Sequence, residues 1–466
     1  MRITIPGGEV NHLFKGEHLI IMKFGGTSVG SAECIAEVYR LVTDRIDQDP
    51  VVVTSAVGGV TDMLIAGAKQ ALARESSSNI LKPIMKRHLD ILSDLGLPSE
   101  SFNEPLTELS NYLDGIRLIQ ELSPRTLDMV CSFGERLSCV ILSDYFKSRG
   151  TDAFPCPAWE AGIVTDDNFG AAEVLSQTYD EIPKRLGKHQ GIPIITGFIA
   201  KNVAGAITTM GRGGSDYTAA IVGAALGATE IQIWTDVDGV LTTDPRTVKA
   251  AKNIAEITFT EAAELSFFGA KVLHPKTIWP AVTRHIPVRV LNTHNPGHPG
   301  TVIVEKASGE RQFTAISCKK NVTVVRIVST RMLLAYGFLA RIFDVFKRYE
   351  ISVDMVATSE VSVSLTLDNV EDLNSAIQEL SEYGNVEVIN GCALICVVGP
   401  GILNASDSPG IIFSVCARED IHIQMISQGA SQVNISFIVR QSDAERCVVA
   451  LHAALFENGT TAGKLK

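Results

Sequence analysis

Short apolar runs alternate, over roughly the first three hundred positions, with longer stretches in which apolar residues recur at helical spacing. Leu19–Phe24, Val51–Val53, Ile192–Thr196, Ala206–Thr209, Ile231–Thr235 and Val288–Leu291 predict strands. Between the first two, Ile35, Val38, Leu41 and Val42 share one face of a helix over Ala32–Asp47. A Ser/Gly/Thr loop then leads into a helix from Asp62. The span 79–123 reads as mostly helical, with breaks near Gly96-Leu97-Pro98 and at Pro105, and a further helix runs around Ser132–Arg149. Strands this uniformly apolar, separated by long helices, belong in a mostly parallel sheet covered on its faces. One α/β domain over 19–305 is expected, preceded by an extension at 1–18.

After 305 the pattern changes to an internal repeat of about 70 residues. Ile342-Phe343-Asp344-Val345 matches Ile412-Phe413-Ser414-Val415, and Val363-Ser364-Leu365-Thr366-Leu367 matches Val433-Asn434-Ile435-Ser436-Phe437. Each copy reads strand, helix, strand, strand, helix, with the polar alternation of a one-sided antiparallel sheet. The expected units are 306–390 and 391–456, with a polar tail at 457–466. Units this small usually pair to bury their open faces.

Composition narrows the class of function. With 45% apolar and 20% charged residues over 466 positions, the chain is an ordinary globular protein with ample core. A net charge of −11 lacks the basic footprint of a nucleic-acid binder. No run of 18 apolar residues occurs, and the N-terminal stretch has no signal-like apolar core, so a cytoplasmic protein without membrane spans is expected. The nine cysteines are scattered and odd in number, as free thiols in a reducing compartment would be. Cys392 and Cys396 have no partner pair that would complete a zinc site.

Candidate chemistry gathers in two glycine-rich loops, Lys23-Phe24-Gly25-Gly26-Thr27-Ser28 and Gly211-Arg212-Gly213-Gly214-Ser215-Asp216. Each follows a strand and opens a helix, where free amides and a helix N-terminus hold anions. Lys23 equally suits a solvated position in a tight turn, and Ser215 and Asp216 also suit helix capping. Arg212 has the fork that clamps a carboxylate. Ser55 and Thr61, in Thr54–Thr61, bind ligand oxygens or cap the next helix. Glu135, in Phe133-Gly134-Glu135-Arg136, which opens or interrupts a helix, meets an amine or faces solvent. Gly197-Phe198 follows a buried strand, Thr235 and Asp236 end another, and Lys271 with His274 sits in Gly269–Pro275.

Taken together, these segments resemble the aspartokinases of the amino acid kinase family. KFGGTS, TSAVGGVT, FGER, GRGGSDYTAA, WTDVDGV, TTDPR and FGAKVLHP occur in that family's order, and the resemblance covers roughly 19–456. It implies the amino acid kinase fold followed by tandem ACT (ferredoxin-like) regulatory units. It also implies Mg²⁺- and ATP-dependent phosphorylation of the aspartate side chain, with the metal carried mainly by ATP. By resemblance, Lys23 and Asp216 are catalytic, and Arg212 and Glu135 hold the α-carboxylate and α-amino group. Ser55, Thr61, Phe198 and Ser215 complete the substrate site. Lys23, Gly25, Gly26, Thr235, Asp236, Leu241, Arg246 and Lys271 face ATP. Leu241 stands where many members have a tyrosine.

The repeats resemble those of lysine-sensitive aspartokinases. That implies an effector site from Met332, Gly337, Phe338, Leu339, Ser352, Val353, Asp354, Thr358, Ser359 and Glu360, with Ala335 where sensitive relatives tend to have serine. Lysine is favoured as effector over threonine, and a homodimer or homotetramer forms through the ACT units. Two alternatives stay open: a family kinase with another acceptor, such as glutamate, acetylglutamate or UMP, and a non-catalytic amino-acid sensor on the same scaffold.

Overall fold

The computed structural model describes residues 18–187, 190–267, 275–309, 311–333, 336–368, 372–428 and 433–457. The chain divides into two compact units, Met1–Val240 with Leu273–Ala307, and Leu241–Val272 with Ser308–Lys466. The division differs from a cut near 305: the segment Leu241–Val272 goes with the repeats.

The first unit is built on a sheet whose strands run in the order Ala153–Cys156, Ile192–Thr196, Val51–Thr54, Ile20–Phe24, Glu230–Thr235, Val288–Asn292 and Thr301–Val304. Every pairing is parallel except the last. Alternation along Ile20–Phe24 decides what each face does. Ile20, Met22 and Phe24 join Val52, Ile194 and the helix residues Val38, Leu64, Leu137 and Ile141 in one core. Ile21 and Lys23 take the opposite face, where helix Gly214–Leu226 lies with Gly223 against Ile21 and Ile231. A small sheet of Val164–Thr165, Ile199–Asn202 and Ile207–Thr209 stands apart.

Two helix predictions are corrected. The helix expected from Ser132 begins at Pro124, where Ser123 caps it by accepting from the Thr126 amide. Its buried face carries Asp128, Ser132, Gly134 and Glu135, so no clean apolar stripe marks the first turns. Pro105 breaks nothing, because it falls in the first turn of helix Asn103–Ile119, where a missing N–H leaves no bond unmade.

In the second unit one antiparallel sheet runs Val353–Thr358, Ser362–Leu367, Ala315–Val328, Asn385–Val398, Asn434–Arg440 and Met425–Ser427. Both long strands serve both repeats. Thr323–Val328 pairs with Ser362–Leu367, while Ala315–Lys320 pairs with Ala393–Val398, and the register shifts between Lys320 and Val324. The repeats keep separate cores, one around Val325, Ile342 and Leu365, the other around Ile316, Ile412 and Phe437. The second repeat therefore borrows a strand that precedes the first in sequence. Leu241–Val272 is tied into this unit by Thr242 Oγ1 with His452 Nε2 at 2.9 Å, and by Arg311 on Glu261 at 3.0 Å.

All nine cysteines are free thiols, most of them buried. Among the described residues no helix is long and apolar enough to cross a membrane.

Candidate active site

Register places the strand ends side by side. Phe24 pairs with Thr54 and with Trp234, and Thr54 with Thr196, so the loops that follow all open at the sheet's carboxyl edge. Backbone bonds lace those loops together: Ser55 N–H to Phe24 C=O (3.1 Å), Gly58 N–H to Gly26 C=O (3.0 Å) and Gly197 N–H to Thr54 C=O (2.8 Å). They surround a cleft of about 360 Å³, whose lining includes Lys23, Gly26, Ser55, Thr61, Glu135, Phe198, Ser215 and Asp216. Asp62 and the glycines at 58, 59, 211, 213 and 214 line it as well. The solvated alternative for Lys23 and Glu135 does not hold, since both are buried.

Lys23 alternates onto the face occupied by helix Gly214–Leu226, and Asp216 stands in that helix's first turn. The two meet in an ion pair of 2.7 Å, with side chains only 11% and 14% exposed. A pair so removed from water adds little net stability after desolvation, but it fixes an ammonium at the cleft. Gly25 lies against that ammonium.

Glu135 sits in the middle of helix Pro124–Ser148 and is 3% exposed. Its Oε1 accepts from the Ala56 amide at 3.2 Å, and its Oε2 has no hydrogen-bond partner among the described residues. Burial pushes its carboxyl up to about 8, against the lowering effect of the Ala56 bond. An acceptor buried without a partner, in a cleft wall, is shaped for a donor that arrives with a ligand.

The second glycine-rich loop follows strand Ile207–Thr209. Gly211 and Gly213 take positive φ, at 73° and 70°, and start the helix at Gly214. Arg212, between them, is exposed and does not itself line the cleft. The neighbouring turn at Phe198 is also left-handed, with φ 64°. Thr218 holds it: its hydroxyl accepts from the Phe198 amide (3.1 Å) and donates to Gly214 C=O (3.0 Å). Gly197 makes this approach feasible, since a Cβ there would stand 2.6 Å from Ser215.

One buried carboxylate behind the site, outside the cleft lining, has no counterpart in the motifs. Asp128, 3% exposed, lies two turns before Glu135 on the same helix. Its Oδ2 accepts from the Thr209 and Gly170 amides, each at 2.9 Å, and its Oδ1 from the Thr209 hydroxyl at 2.8 Å. Desolvation raises its pKa in spite of those bonds. An acidic residue seven positions before Glu135, hence on the same helical face, is the signal that was available for it.

Comparison with known proteins fits this geometry. The model of the amino acid kinase family matches residues 18–292, and that of the ACT domain matches 325–383 and 395–455. Aspartokinase 1, chloroplastic, of Arabidopsis thaliana is 43% identical over 461 residues, covering 94% of this chain and 80% of its own. The chain belongs to the aspartokinases. Lysine-sensitive aspartokinase 3 of Escherichia coli is 37% identical, over 94% of this chain and 99% of its own. The crystal structure of E. coli aspartokinase III with aspartate and ADP (R-state) superposes with a TM-score of 0.81 at 36% identity, covering 94% of this chain and all of that one. Aspartokinases are kinases of the aspartate carboxylate, so this chain is an enzyme, and ATP use follows from its class. Membership removes the non-catalytic sensor as a description of the family.

The remaining residues that the resemblance singles out in this aspartokinase are scattered. Thr235 Oγ1 donates to Asp236 Oδ1 at 3.2 Å, where strand Glu230–Thr235 ends at the same sheet edge. Leu241 and Arg246 belong to the second unit. There Arg246 is held by Asp244 at 2.6 Å and is largely solvent-exposed. Lys271 and His274 lie outside the described residues, as does Ala335.

Among the effector candidates, Phe338 is core, edge-on to Tyr383, and Val353 packs against that core. Gly337 takes φ 73° at the helix start, Met332 is half-buried, and Leu339, Ser352, Thr358, Ser359 and Glu360 are exposed. The Asp354 side chain, 8% exposed, holds the Lys319 ammonium at 2.9 Å, and Asp368 shares that ammonium.

Proposed function

We propose that this aspartokinase transfers the γ-phosphoryl group of ATP to the side-chain carboxylate of L-aspartate, giving 4-phospho-L-aspartate. The observation that carries this is the pairing, in one cleft, of a buried ammonium at Lys23 with a buried, half-unpaired carboxylate at Glu135. The first suits a phosphoryl group and the second an α-ammonium. The nucleophile is a carboxylate already ionised at neutral pH, so no general base is required. What the protein supplies is position and charge.

Lys23, steadied by Asp216, neutralises the charge that develops on the transferring group, with the Gly26 amide beside it. The Gly25 N–H is given to Trp234 C=O at 3.1 Å and shapes the loop instead. Arg212 clamps the α-carboxylate, Glu135 takes the α-ammonium, and Ser55 and Thr61 orient the acceptor side chain. Phe198 and Ser215 close the wall behind it. Thr235 and Asp236 face the nucleotide, and the resemblance also gives Leu241, Arg246 and Lys271 to ATP. Among the described residues no three His, Cys, Asp or Glu side chains are gathered to hold a metal ion. The resemblance implies Mg²⁺ carried mainly by ATP, where it would offset the charge of the phosphates.

Hydroxamate trapping with ATP, aspartate and hydroxylamine tests the reaction. Aspartyl hydroxamate is the expected product; product from glutamate but none from aspartate would transfer the assignment to another acceptor.

We further propose lysine as the inhibitor, acting at the first repeat of a homodimer. In support, Asp354 already binds an alkylammonium, that of Lys319, and hydroxyl and carboxylate groups of Ser352, Thr358, Ser359 and Glu360 are exposed in the same strand and turn region. A 37% identical relative is named lysine-sensitive. For the dimer, Leu333, Tyr336, Leu339, Phe343 and Val361 expose apolar surface in that repeat.

A further inference from the structure

Asp128 is buried, accepts three hydrogen bonds, and lies outside the cleft lining. Two of its donors come from Thr209, the last residue of the strand that feeds Gly211-Arg212-Gly213. The third is the Gly170 amide, and Gly170 C=O stands 3.3 Å from where a Cβ on Gly211 would be. The carboxylate thus fastens both chain segments that flank the base of the Arg212 loop. It does so from the rigid helix that carries Glu135 two turns further on.

We infer that Asp128 is a positioning residue for the aspartate site, setting the separation between the Arg212 loop and Glu135. The inference rests on the proposed roles of those two residues as clamps for the α-carboxylate and the α-ammonium. A clamp made from two elements works only if the elements keep their spacing, and a displacement near 1 Å is enough to weaken it. Thr209 and Arg212 are separated by only Met210 and Gly211. Gly211 takes a left-handed φ of 73°, a soft joint unless its base is held. On the nucleotide side, Lys23 and Thr235 hang on strands Ile20–Phe24 and Glu230–Thr235, and the tether reaches them only through Asp216, which is carried by helix Gly214–Leu226.

Steady-state kinetics of the full-length enzyme decide it. Asp128→Ala leaves two amides without their acceptor and is expected to raise the aspartate KM about tenfold, with the ATP KM changed less than about twofold. Asp128→Asn should restore a KM within about twofold of wild type. Its carbonyl oxygen accepts both amides, and its NH₂ donates to the Thr209 hydroxyl, which can turn to accept. On an Arg212→Ala background, adding Asp128→Ala should cost less than about twofold, because the tether acts through the arginine. Equal rises in both KM values, or multiplicative losses in the double variant, would overturn the role.

Arg212→Ala alone separates the two levels. If it leaves the aspartate KM unchanged, the clamp assignment fails. If it raises that KM while Asp128→Ala does not, only the positioning role fails. Should Asp128→Ala not fold, Thr209→Val decides, since it removes one bond and spares both amide bonds. A rise of about threefold in aspartate KM alone supports the tether, and no change refutes it.

Discussion

Glu135 shows how one side chain's surroundings set a measurable pH dependence. In the unfolded chain its carboxyl has the ordinary value of 4.5, and burial in the fold lifts it to about 8. Between those values the folded protein holds a proton that the unfolded chain has released. Its contribution to stability is therefore full below 4.5 and is lost as pH rises through about 8. An incoming α-ammonium favours the ionised carboxylate, so below that pH aspartate must expel the proton to bind. The aspartate KM should accordingly fall from pH 6 to 8 by at most about tenfold per unit and then level. The ATP KM should not follow it, and Glu135→Gln should bind aspartate weakly with a flat profile. A wild-type KM that is flat over this range, or a Gln variant that keeps the slope, would remove Glu135 from the amine site. At this scale Lys23 and Asp216 were legible, because each lies in a glycine-rich phrase at a strand-to-helix junction. The burial of Glu135 was not legible, since it depends on the Ser55–Gly59 loop folding over the helix. Asp128 carries no motif, and its role exists only through Thr209 and Gly170, both far away in sequence.

Two glycines in long helices show how the elements are held apart or together. A Cβ at Gly134 would meet the Ala56 methyl at 2.7 Å and Leu64 at 3.4 Å, whereas a Cβ at Gly115, in helix Asn103–Ile119, would meet nothing within 4 Å. Gly134→Ala should therefore push the Ser55–Gly59 loop outward and cost about 1–3 kcal/mol. It should also stretch the Ala56 bond to Glu135 and raise the aspartate KM. Gly115→Ala should instead stabilise by about 0.5–1 kcal/mol, through helix propensity alone. Thermal melts of opposite sign, with KM altered only by the first, are the expected pair of results; melts of the same sign would mean that contact at Gly134 is not what separates them. The strands were legible at this scale because a buried parallel strand is apolar throughout. The start of helix Pro124–Ser148 was not, because its first buried turns carry polar residues that serve the site rather than the core.

At the scale of the whole molecule, the repeat was legible from the match of Ile342–Val345 to Ile412–Val415, but its interlocking was not. The pairing of Ala315–Lys320 with Ala393–Val398 is long-range, and local alternation reads the same whichever strand lies alongside. The fate of Leu241–Val272 was hidden for the same reason, since its ties to His452 and Arg311 span up to 210 residues. These features leave the first repeat with an outer strand, Val353–Thr358, at the sheet's end. Beside it in sequence is helix Phe338–Arg348, on which Leu339 and Phe343 stand four apart, 37% and 39% exposed. An apolar pair on one helical face, which includes the effector candidate Leu339, is suited to burial against a second copy. Phe343→Glu would place a charge there and should halve the mass seen by light scattering. Because the proposed lysine site lies in the same repeat, inhibition by lysine should weaken in parallel. Phe343 belongs to the second unit, so turnover at saturating aspartate and ATP without lysine should be retained. An unchanged mass would remove this face from the dimer, and a monomer still fully inhibited by lysine would separate effector binding from assembly.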